Sequence, residues 1–104
     1  MNGFQIKFYT QQDRKHHGKP VGEWLIELAK ELRLLRATLR TAVEGVGPSG
    51  QIHSAHFFEL ADQPVEVETI VTPEEAEQLF KRLGAEGIKL FYVKTAVEFG
   101  TVGQ

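Results

Sequence analysis

The feature that most constrains the fold is the run "VEVETIVTPEEAEQLF", which passes directly from a strand pattern into a helix pattern. From Val65 to Val71, apolar residues and threonine alternate with glutamate and isoleucine, which is the period of a strand with one buried face. Thr72-Pro73-Glu74-Glu75 then forms a capping box with proline at the first helical position. Gly84 is placed to end the helix in a left-handed cap, after apolar residues at helical spacing: Ala76, Leu79, Phe80 and Leu83.

The first third of the chain repeats this strand-then-helix order. Phe4, Ile6 and Phe8 alternate with polar residues and Tyr9, which predicts a half-buried strand. Pro20 fits the first position of a helix, since its missing N–H has no partner to lose there. That helix carries one apolar stripe, in which Trp24 is expected to be a core residue: Val21, Trp24, Leu25, Leu28, Leu32 and Leu35.

Three further segments have strand patterns. "ATLRTAVEGVG" places Leu39, Thr41 and Val43 opposite Arg40, "AHFFEL" predicts a short strand, and "IKLFYVKTAVEF" predicts a long final strand. The order β-α-β-β-α-β is that of a ferredoxin-like α+β sandwich, a four-stranded antiparallel sheet with two helices on one face. We expect one such domain to span residues 1–104.

The predicted final strand is apolar on both faces, although two helices can cover only one. Ile88, Leu90 and Tyr92 are expected on one face, and Phe91 and Val93 on the other. Because a large uncovered apolar face usually meets another subunit, this pattern predicts an oligomer.

The composition and charge of the chain count against several classes of function. The net charge of −2, with the acidic residues concentrated in the second half, counts against a broad nucleic-acid interface, and we expect no nucleic-acid partner. The absence of cysteine excludes disulfides, thiol catalysis and thiolate metal sites, and favours a cytoplasmic location. No apolar run approaches the ~18 residues that span a bilayer. No nucleophile, base and orienting group can be assembled from the pattern, so we do not expect an enzyme.

The order and spacing of several short motifs resemble the nitrogen-regulatory PII signalling proteins, and more closely their small relatives, the PII-like domain-of-unknown-function one-ninety family. The motifs are Gly18-Lys19-Pro20 at the start of the first helix, Gly45-Val46-Gly47 at the end of the second strand, and Gln51-Ile52-His53 in the loop that follows. The resemblance extends from about residue 4 to residue 97, and no single motif carries it alone.

This resemblance implies a PII-like homotrimer with ligand clefts between subunits. Such clefts bind adenine nucleotides in PII proteins, and the loop after the second strand reports the ligand state to a partner such as a transporter or an enzyme. AMP, ADP and ATP are therefore the candidate ligands, and another small metabolite is an open alternative. The resemblance places these residues at the ligand: Thr38, Leu39, Gly45, Gly47, Gln51, His53, Gly84, Gly87 and Lys89.

Some of these positions depart from the PII pattern, and others can be explained by a structural role without a ligand. Gln51 stands where the family has a basic residue, and the turn Gly84–Gly87 is short and carries an acid, which disfavours tight triphosphate binding. Gly45 and Gly47 have an alternative explanation as bulge and turn glycines, and Lys89 as a solvated residue at the start of a strand. His53 is either a loop hydrogen-bonding group or a ligand contact.

The other histidines have no assigned role. His16 and His17 are expected to be solvated in a polar turn. On a strand, His53 and His56 would point to opposite faces, so no metal site is predicted.

Three other families share this architecture. Acylphosphatases need a glycine-rich phosphate loop after the first strand, where this chain has "TQQDRKHHGKP". RNA-recognition domains need aromatic residues in a basic field, whereas the third strand here is "VEVETIV". The trimeric divalent-cation-tolerance proteins are the main alternative, as metal-binding proteins of similar architecture.

Overall fold

A computed structural model describes residues 1–42, 44–46, 52–54 and 63–103. Within these ranges the chain forms two helices and eight strands, several of them short. In chain order they are β1 (Asn2–Gln11), β2 (Lys15–His16), β3 (Lys19–Pro20), α1 (Val21–Glu31), β4 (Arg36–Thr41), β5 (Glu44–Val46), β6 (Ile52–Ser54), β7 (Pro64–Val71), α2 (Pro73–Glu86) and β8 (Phe91–Glu98). The predicted strand "AHFFEL" lies outside the described residues.

The four long strands form one antiparallel sheet in the order β4-β7-β1-β8. β1 is central and pairs with β7 on one side and with β8 on the other. β4 completes the opposite edge by pairing with β7. Each helix therefore connects two strands that are separated by a third, which is the split βαβ arrangement of the ferredoxin-like fold. The fold predicted from the sequence is confirmed.

The helices cover one face of this sheet, which we call the covered face. β7 alternates between buried and half-buried residues along its whole length, as its sequence predicts. Its buried side meets Ile6 and Phe8 of β1 and the apolar stripes of both helices. Trp24 is buried in this core, as predicted. Because the same alternation that builds the strands also selects the buried side, the core was predictable from the pattern.

α2 begins as the sequence predicts and ends later. The side chain of Thr72 accepts a hydrogen bond from the Glu75 amide, and the Glu75 carboxylate accepts one from the Thr72 amide. The helix continues through Glu86, and Gly87 caps it with a left-handed φ of 69°. The prediction that Gly84 ends the helix is wrong, since Gly84 is a helical residue and the left-handed conformation falls three residues later.

α1 begins one residue later and ends earlier than the sequence predicts. Pro20 lies at the N-cap with extended backbone and belongs to β3, so the first helical residue is Val21. Leu32 is the C-cap, and Leu35 lies beyond the helix with 60% of its surface exposed. Leu35 is therefore not part of the predicted buried stripe, because the chain leaves the helix at Arg33, which has a φ of 56°.

β2 and β3 form a hairpin with a two-residue turn, in which His16 pairs with Lys19. The two residues at its tip, His17 and Gly18, both have positive φ values, 52° and 78°. Positive φ at both central positions is the signature of a type I′ turn, which matches the twist of the flanking strands. The hairpin leads directly into α1, since the Val21 amide donates to the Arg14 carbonyl oxygen at 2.9 Å.

The second face of the sheet carries no helix, and we call it the open face. Its centre is charged: Arg40 contacts Glu66 at 3.2 Å and Glu68 at 3.3 Å, and Lys7 lies 3.7 Å from Glu66. Its β8 edge is apolar, with Phe91 and Val93 exposed. The uncovered apolar surface is therefore one edge of this face and not the whole of it, because β4 and β7 place charged residues at its centre.

The final strand starts later than predicted. Ile88, Lys89 and Leu90 precede β8, and Ile88 and Leu90 pack against the core instead of alternating along a strand. Within β8 the alternation holds, because Tyr92 lies opposite Phe8 on the covered face while Phe91 lies opposite Tyr9 on the open face. The part of the chain that the structure describes contains no helix long and apolar enough to cross a membrane.

Candidate functional site

The predicted ligand residues of β4 lie on the two faces of an edge strand. Thr38 pairs with Glu68 and belongs to the open face, whereas Leu39 pairs with Val67 and belongs to the covered face. Leu39 packs against α1 so closely that a Cβ on Gly22 would lie 2.8 Å from its Cδ1. Leu39 therefore packs against α1 while 36% of its surface stays exposed, and Thr38 is exposed on the other face of the same edge strand.

β5 and β6 form a short antiparallel ladder beyond the end of β4, in which Gly45 lies opposite His53. Two predicted ligand residues are thus paired across the two strands of one ladder. Gly47 and Gln51 lie outside the described residues. β5 and β6 are thus the first and last parts of the segment that resembles a ligand-responsive loop.

The remaining predicted ligand residues lie at the end of α2. Gly84 is inside the helix, Gly87 is its cap, and Lys89 is exposed two residues before β8. The predicted turn Gly84–Gly87 is therefore a helical turn followed by one capping glycine. The guanidinium of Arg14 donates a hydrogen bond to the Lys89 carbonyl oxygen, which fixes the backbone here and leaves the Lys89 ammonium outside that contact.

These two groups lie at the same end of the sheet but on opposite edges. β4 leads to the β5–β6 ladder at one edge, and Lys89 precedes β8 at the other, with β7 and β1 between them. Three inter-strand spacings separate the edges by ~14 Å. One copy of the chain therefore does not bring all of the predicted ligand residues together.

A cluster that the sequence did not predict joins the β2–β3 hairpin to the end of α2. The Nε2 atoms of His16 and His17 lie 3.0 Å and 2.8 Å from the same carboxylate oxygen, Oε1 of Glu86. The ring of His16 also packs edge-on against Trp24, with centroids 4.5 Å apart. The prediction that both histidines are merely solvated is wrong: His16 is half-buried, and both imidazoles are hydrogen-bonded to Glu86.

Glu86 lies at the carboxyl end of a helix, where the helix dipole disfavours a negative charge. Its ionised form is stabilised instead by three donors. Hydrogen bonds from His16, then from His17 and Arg82, lower the pKa of Glu86 to about 2. Arg82 binds the other oxygen, Oε2, at 3.3 Å and also pairs with Glu31, and the two carboxylates raise the pKa of its guanidinium. The carboxylate of Glu86 is therefore ionised and held at both oxygens.

This cluster could have been suspected from two local signals only. The sequence His16-His17-Gly18 combines adjacent imidazoles with a glycine suited to a two-residue turn, and Glu86 is an acid at the wrong end of a helix. Nothing in the sequence pairs positions 70 residues apart, so only the packed structure brings them together.

An open groove of about 400 Å³ lies at the other end of the sheet, between the start of β1, the start of α2 and the end of β8. Its lining is Asn2, Gly3, Phe4, Pro73, Ala96, Val97 and Glu98. β1 and β8 are antiparallel, so this groove is separated from Lys89 by the length of β8. It does not coincide with any of the predicted ligand residues.

Residues 3–89 match the model of the DUF190 family, described as Uncharacterized ACR, and the chain belongs to that family. A curated relative, a UPF0166 protein of Aquifex aeolicus (strain VF5), is 32% identical over 79 residues, which is 75% of this chain and 75% of the relative. The resemblance inferred from the short motifs is confirmed.

Two solved structures that align with this chain are of PII-like proteins. A candidate PII-like signalling protein from Thermus thermophilus aligns with a TM-score of 0.68 at 19% identity, covering 92% of this chain and 87% of that one. CPII, a nitrogen regulatory PII-like protein from Thiomonas intermedia K12, aligns with a TM-score of 0.69 at 14% identity, covering 97% and 91%, and its structure contains ADP, AMP and bicarbonate. At these identities the likeness shows a PII-like fold.

Proposed function

We propose that this protein is a non-enzymatic PII-like regulator that binds an adenine nucleotide between copies of the chain and signals through the segment after β4. The observation that carries the proposal is the division of the predicted ligand residues between opposite edges of the sheet. Thr38 and the β5–β6 ladder lie at one edge, and Lys89 at the other. A cleft between two copies would join one edge to the other.

The open face supplies a surface for such an association. Phe91 and Val93 are 63% and 43% exposed, and the Phe91 ring packs edge-on against Tyr9 with centroids 5.7 Å apart. Burying an apolar side chain of this size stabilises an interface by ~1.5–3 kcal/mol. We propose a homotrimer, as the family resemblance implies, in which the apolar β8 edge is buried between copies.

Lys89 is the proposed phosphate contact. Its ammonium is exposed, and the backbone around it is held by Arg14 and by the Gly87 cap. The backbone at the end of α2 cannot bind an anion well, because the carboxyl end of a helix presents carbonyl oxygens. The positive charge of Lys89 therefore has to provide most of the attraction to a phosphate at this edge.

Nucleotide binding is tested by titration calorimetry of the full chain with AMP, ADP and ATP, each with and without bicarbonate. A hydrogen bond to a charged group contributes ~1.5–3 kcal/mol, so Lys89→Ala should weaken nucleotide binding by about ten- to a hundredfold. Lys81→Ala removes another exposed lysine, from α2, and should leave binding unchanged. Absence of binding by all three nucleotides at millimolar concentration would overturn the adenine-nucleotide proposal.

The reporting segment is tested separately by hydrogen exchange of peptides that cover residues 44–54. Nucleotide should slow exchange in the β5–β6 ladder, because ordering of this segment on the ligand protects its amides. Gly47→Val should weaken binding of every nucleotide alike if backbone approaches the ligand there. Exchange that is unaltered at saturating nucleotide would contradict a reporting role while leaving the binding proposal intact.

A further inference from the structure

We propose that His16, His17 and Glu86 form a binding site for a borderline divalent transition-metal ion, of which Zn²⁺ is the reference case. The three ligand atoms come from two elements, the β2–β3 hairpin and the last turn of α2, and lie within 4.8 Å of one another. The proposal is independent of nucleotide binding, since none of these side chains is among the proposed nucleotide contacts.

The distances suit an ion after a small displacement. Both imidazole Nε2 atoms face Glu86 Oε1, at 3.0 Å and 2.8 Å. Zn–N bonds of 2.0–2.1 Å and Zn–O bonds of 2.0–2.2 Å at a tetrahedral angle separate nitrogen from oxygen by ~3.3 Å. Each histidine nitrogen therefore has to move away from the carboxylate oxygen by less than ~1 Å. The two nitrogens, which lie within 4.8 Å of each other, also have to approach by up to ~1.5 Å, with an ion in place of the two bridging protons.

The donor set selects the class of metal. Two imidazole nitrogens and one carboxylate oxygen suit Zn²⁺ and its first-row neighbours, whereas Ca²⁺ and Mg²⁺ prefer oxygen ligands. Three protein ligands leave one tetrahedral position for water or another donor. We therefore expect Zn²⁺, Co²⁺ and Ni²⁺ to bind and Mg²⁺ to bind far more weakly.

The ligands are held before any ion arrives. His17 occupies the tip of a type I′ turn, whose φ of 52° fixes its backbone, and the ring of His16 packs against Trp24. Arg82 holds Oε2 of Glu86, which leaves Oε1 directed at the histidines. A partner on the outer oxygen of a ligating carboxylate is a common feature of metal sites, because it fixes the orientation of the ligand.

The charges around the cluster are compatible with a cation. Glu86 is an ionised carboxylate, and the positive charge of Arg82 is shared with a second carboxylate, Glu31. His17 is 67% exposed on its side chain, so a solvated ion can reach the site without opening the core.

The test is titration of the metal-free protein with ZnCl₂ and with MgCl₂ by calorimetry, and with CoCl₂ by visible absorption. We expect one Zn²⁺ per chain, no comparable heat with Mg²⁺, and intense Co²⁺ ligand-field bands, which report tetrahedral coordination directly. Loss of an outer-sphere partner already costs ~10–100-fold in metal affinity, so His17→Asn and Glu86→Gln, which each remove a ligand, should weaken Zn²⁺ binding by more than about 100-fold.

The variants are chosen to keep the fold. Asparagine tolerates the left-handed backbone of position 17, and glutamine at position 86 keeps the shape of the side chain. Glu77→Gln removes an exposed carboxylate from the same helix, and His56→Asn removes a histidine from elsewhere in the chain. Both control variants should bind Zn²⁺ like the wild type.

Four outcomes would overturn the proposal. Two concern the wild type: that it binds no Zn²⁺, or that it binds Mg²⁺ as strongly as Zn²⁺. The other two concern the variants: that His17→Asn and Glu86→Gln bind Zn²⁺ with the affinity of the wild type, or that His56→Asn loses Zn²⁺ binding. The Co²⁺ spectrum guards against an indirect effect, because a variant that only perturbs the hairpin would weaken binding without changing the band positions. Far-ultraviolet circular dichroism of each variant accompanies the titrations.

Discussion

The covered and open faces of the sheet are built from the same four strands, yet they hold the molecule together in different ways. On the covered face Phe8 is 2% exposed and meets the apolar stripes of both helices. On the open face its neighbour Tyr9 is 39% exposed. Among the described aromatic rings, Tyr9 contacts that of Phe91 on the β8 edge. Adjacent residues of one strand thus have different energetic roles, because successive side chains of a strand point to opposite faces.

The open face itself is divided. Its centre carries the Arg40, Glu66 and Glu68 contacts, which are partly exposed to water, and its β8 edge carries exposed aromatic and aliphatic groups. Surface ion pairs add little to stability, whereas an apolar edge has much to gain from burial. The difference indicates that the covered face stabilises the single chain, and that the edge of the open face is where association would gain most.

The largest effect is expected at Phe8. Phe8→Ala should lower the free energy of unfolding by about 3–5 kcal/mol, because it removes a buried ring and leaves a cavity. Tyr9→Ala is the matched control on the next residue and should cost about 1 kcal/mol through loss of its ring contact with Phe91. Urea denaturation of both variants at two protein concentrations measures the difference, and equal losses would mean that the two faces are not distinct.

A charge on the apolar edge should disrupt assembly without unfolding the chain. Phe91→Asp is expected to shift the protein to smaller species, since each buried apolar side chain contributes ~1.5–3 kcal/mol to an interface. Gln78→Asp places the same charge on an exposed position of α2 and should leave the mass unchanged. Sedimentation velocity gives the mass in each case. A wild-type monomer at micromolar concentration would refute the trimer, and with it the cleft between copies.

The covered face depends on α2, and two glycines at its end should respond to alanine in opposite directions. Gly84→Ala should stabilise the chain by about 0.5–1 kcal/mol, because the position is helical and nothing lies within 4 Å of the added Cβ. Gly87→Ala should destabilise it by about 1–2 kcal/mol, since an L-residue is strained at a φ of 69°. Thermal unfolding monitored by circular dichroism compares the two. Destabilisation by both would place the helix end at Gly84 after all.

The smallest effect is expected at the charged centre of the open face. Arg40→Gln should change stability by less than about 1 kcal/mol, because the guanidinium is half exposed and its ion pairs are screened. Arg36→Gln, on the same strand and face, serves as the control for loss of one positive charge. Added salt should reduce the difference between wild type and Arg40→Gln. A loss of several kcal/mol at Arg40 would show that this network is structural, and that the comparison of the faces needs revision.

The amino-acid sequence by itself determined the four long strands and the two helices with their buried sides, although not every residue at which these elements begin and end. The alternation in β7, the capping box at Thr72 and the helical stripe around Trp24 are local patterns, and each is dictated by the period of the element and the chemistry of adjacent side chains. The order of these elements, with the motifs around Gly45 and Gln51, was also sufficient to identify the family.

Only the tertiary structure decided which distant residues meet and where α2 stops. Glu86 contacts His16 and His17 across about two thirds of the chain, and the predicted ligand residues separate onto two edges because β7 and β1 lie between them. α2 continues past Gly84 because glycine permits a left-handed cap without imposing one, and the chain takes that conformation at Gly87. Local sequence patterns set the period of each element, but contacts between elements depend on how all of them pack together.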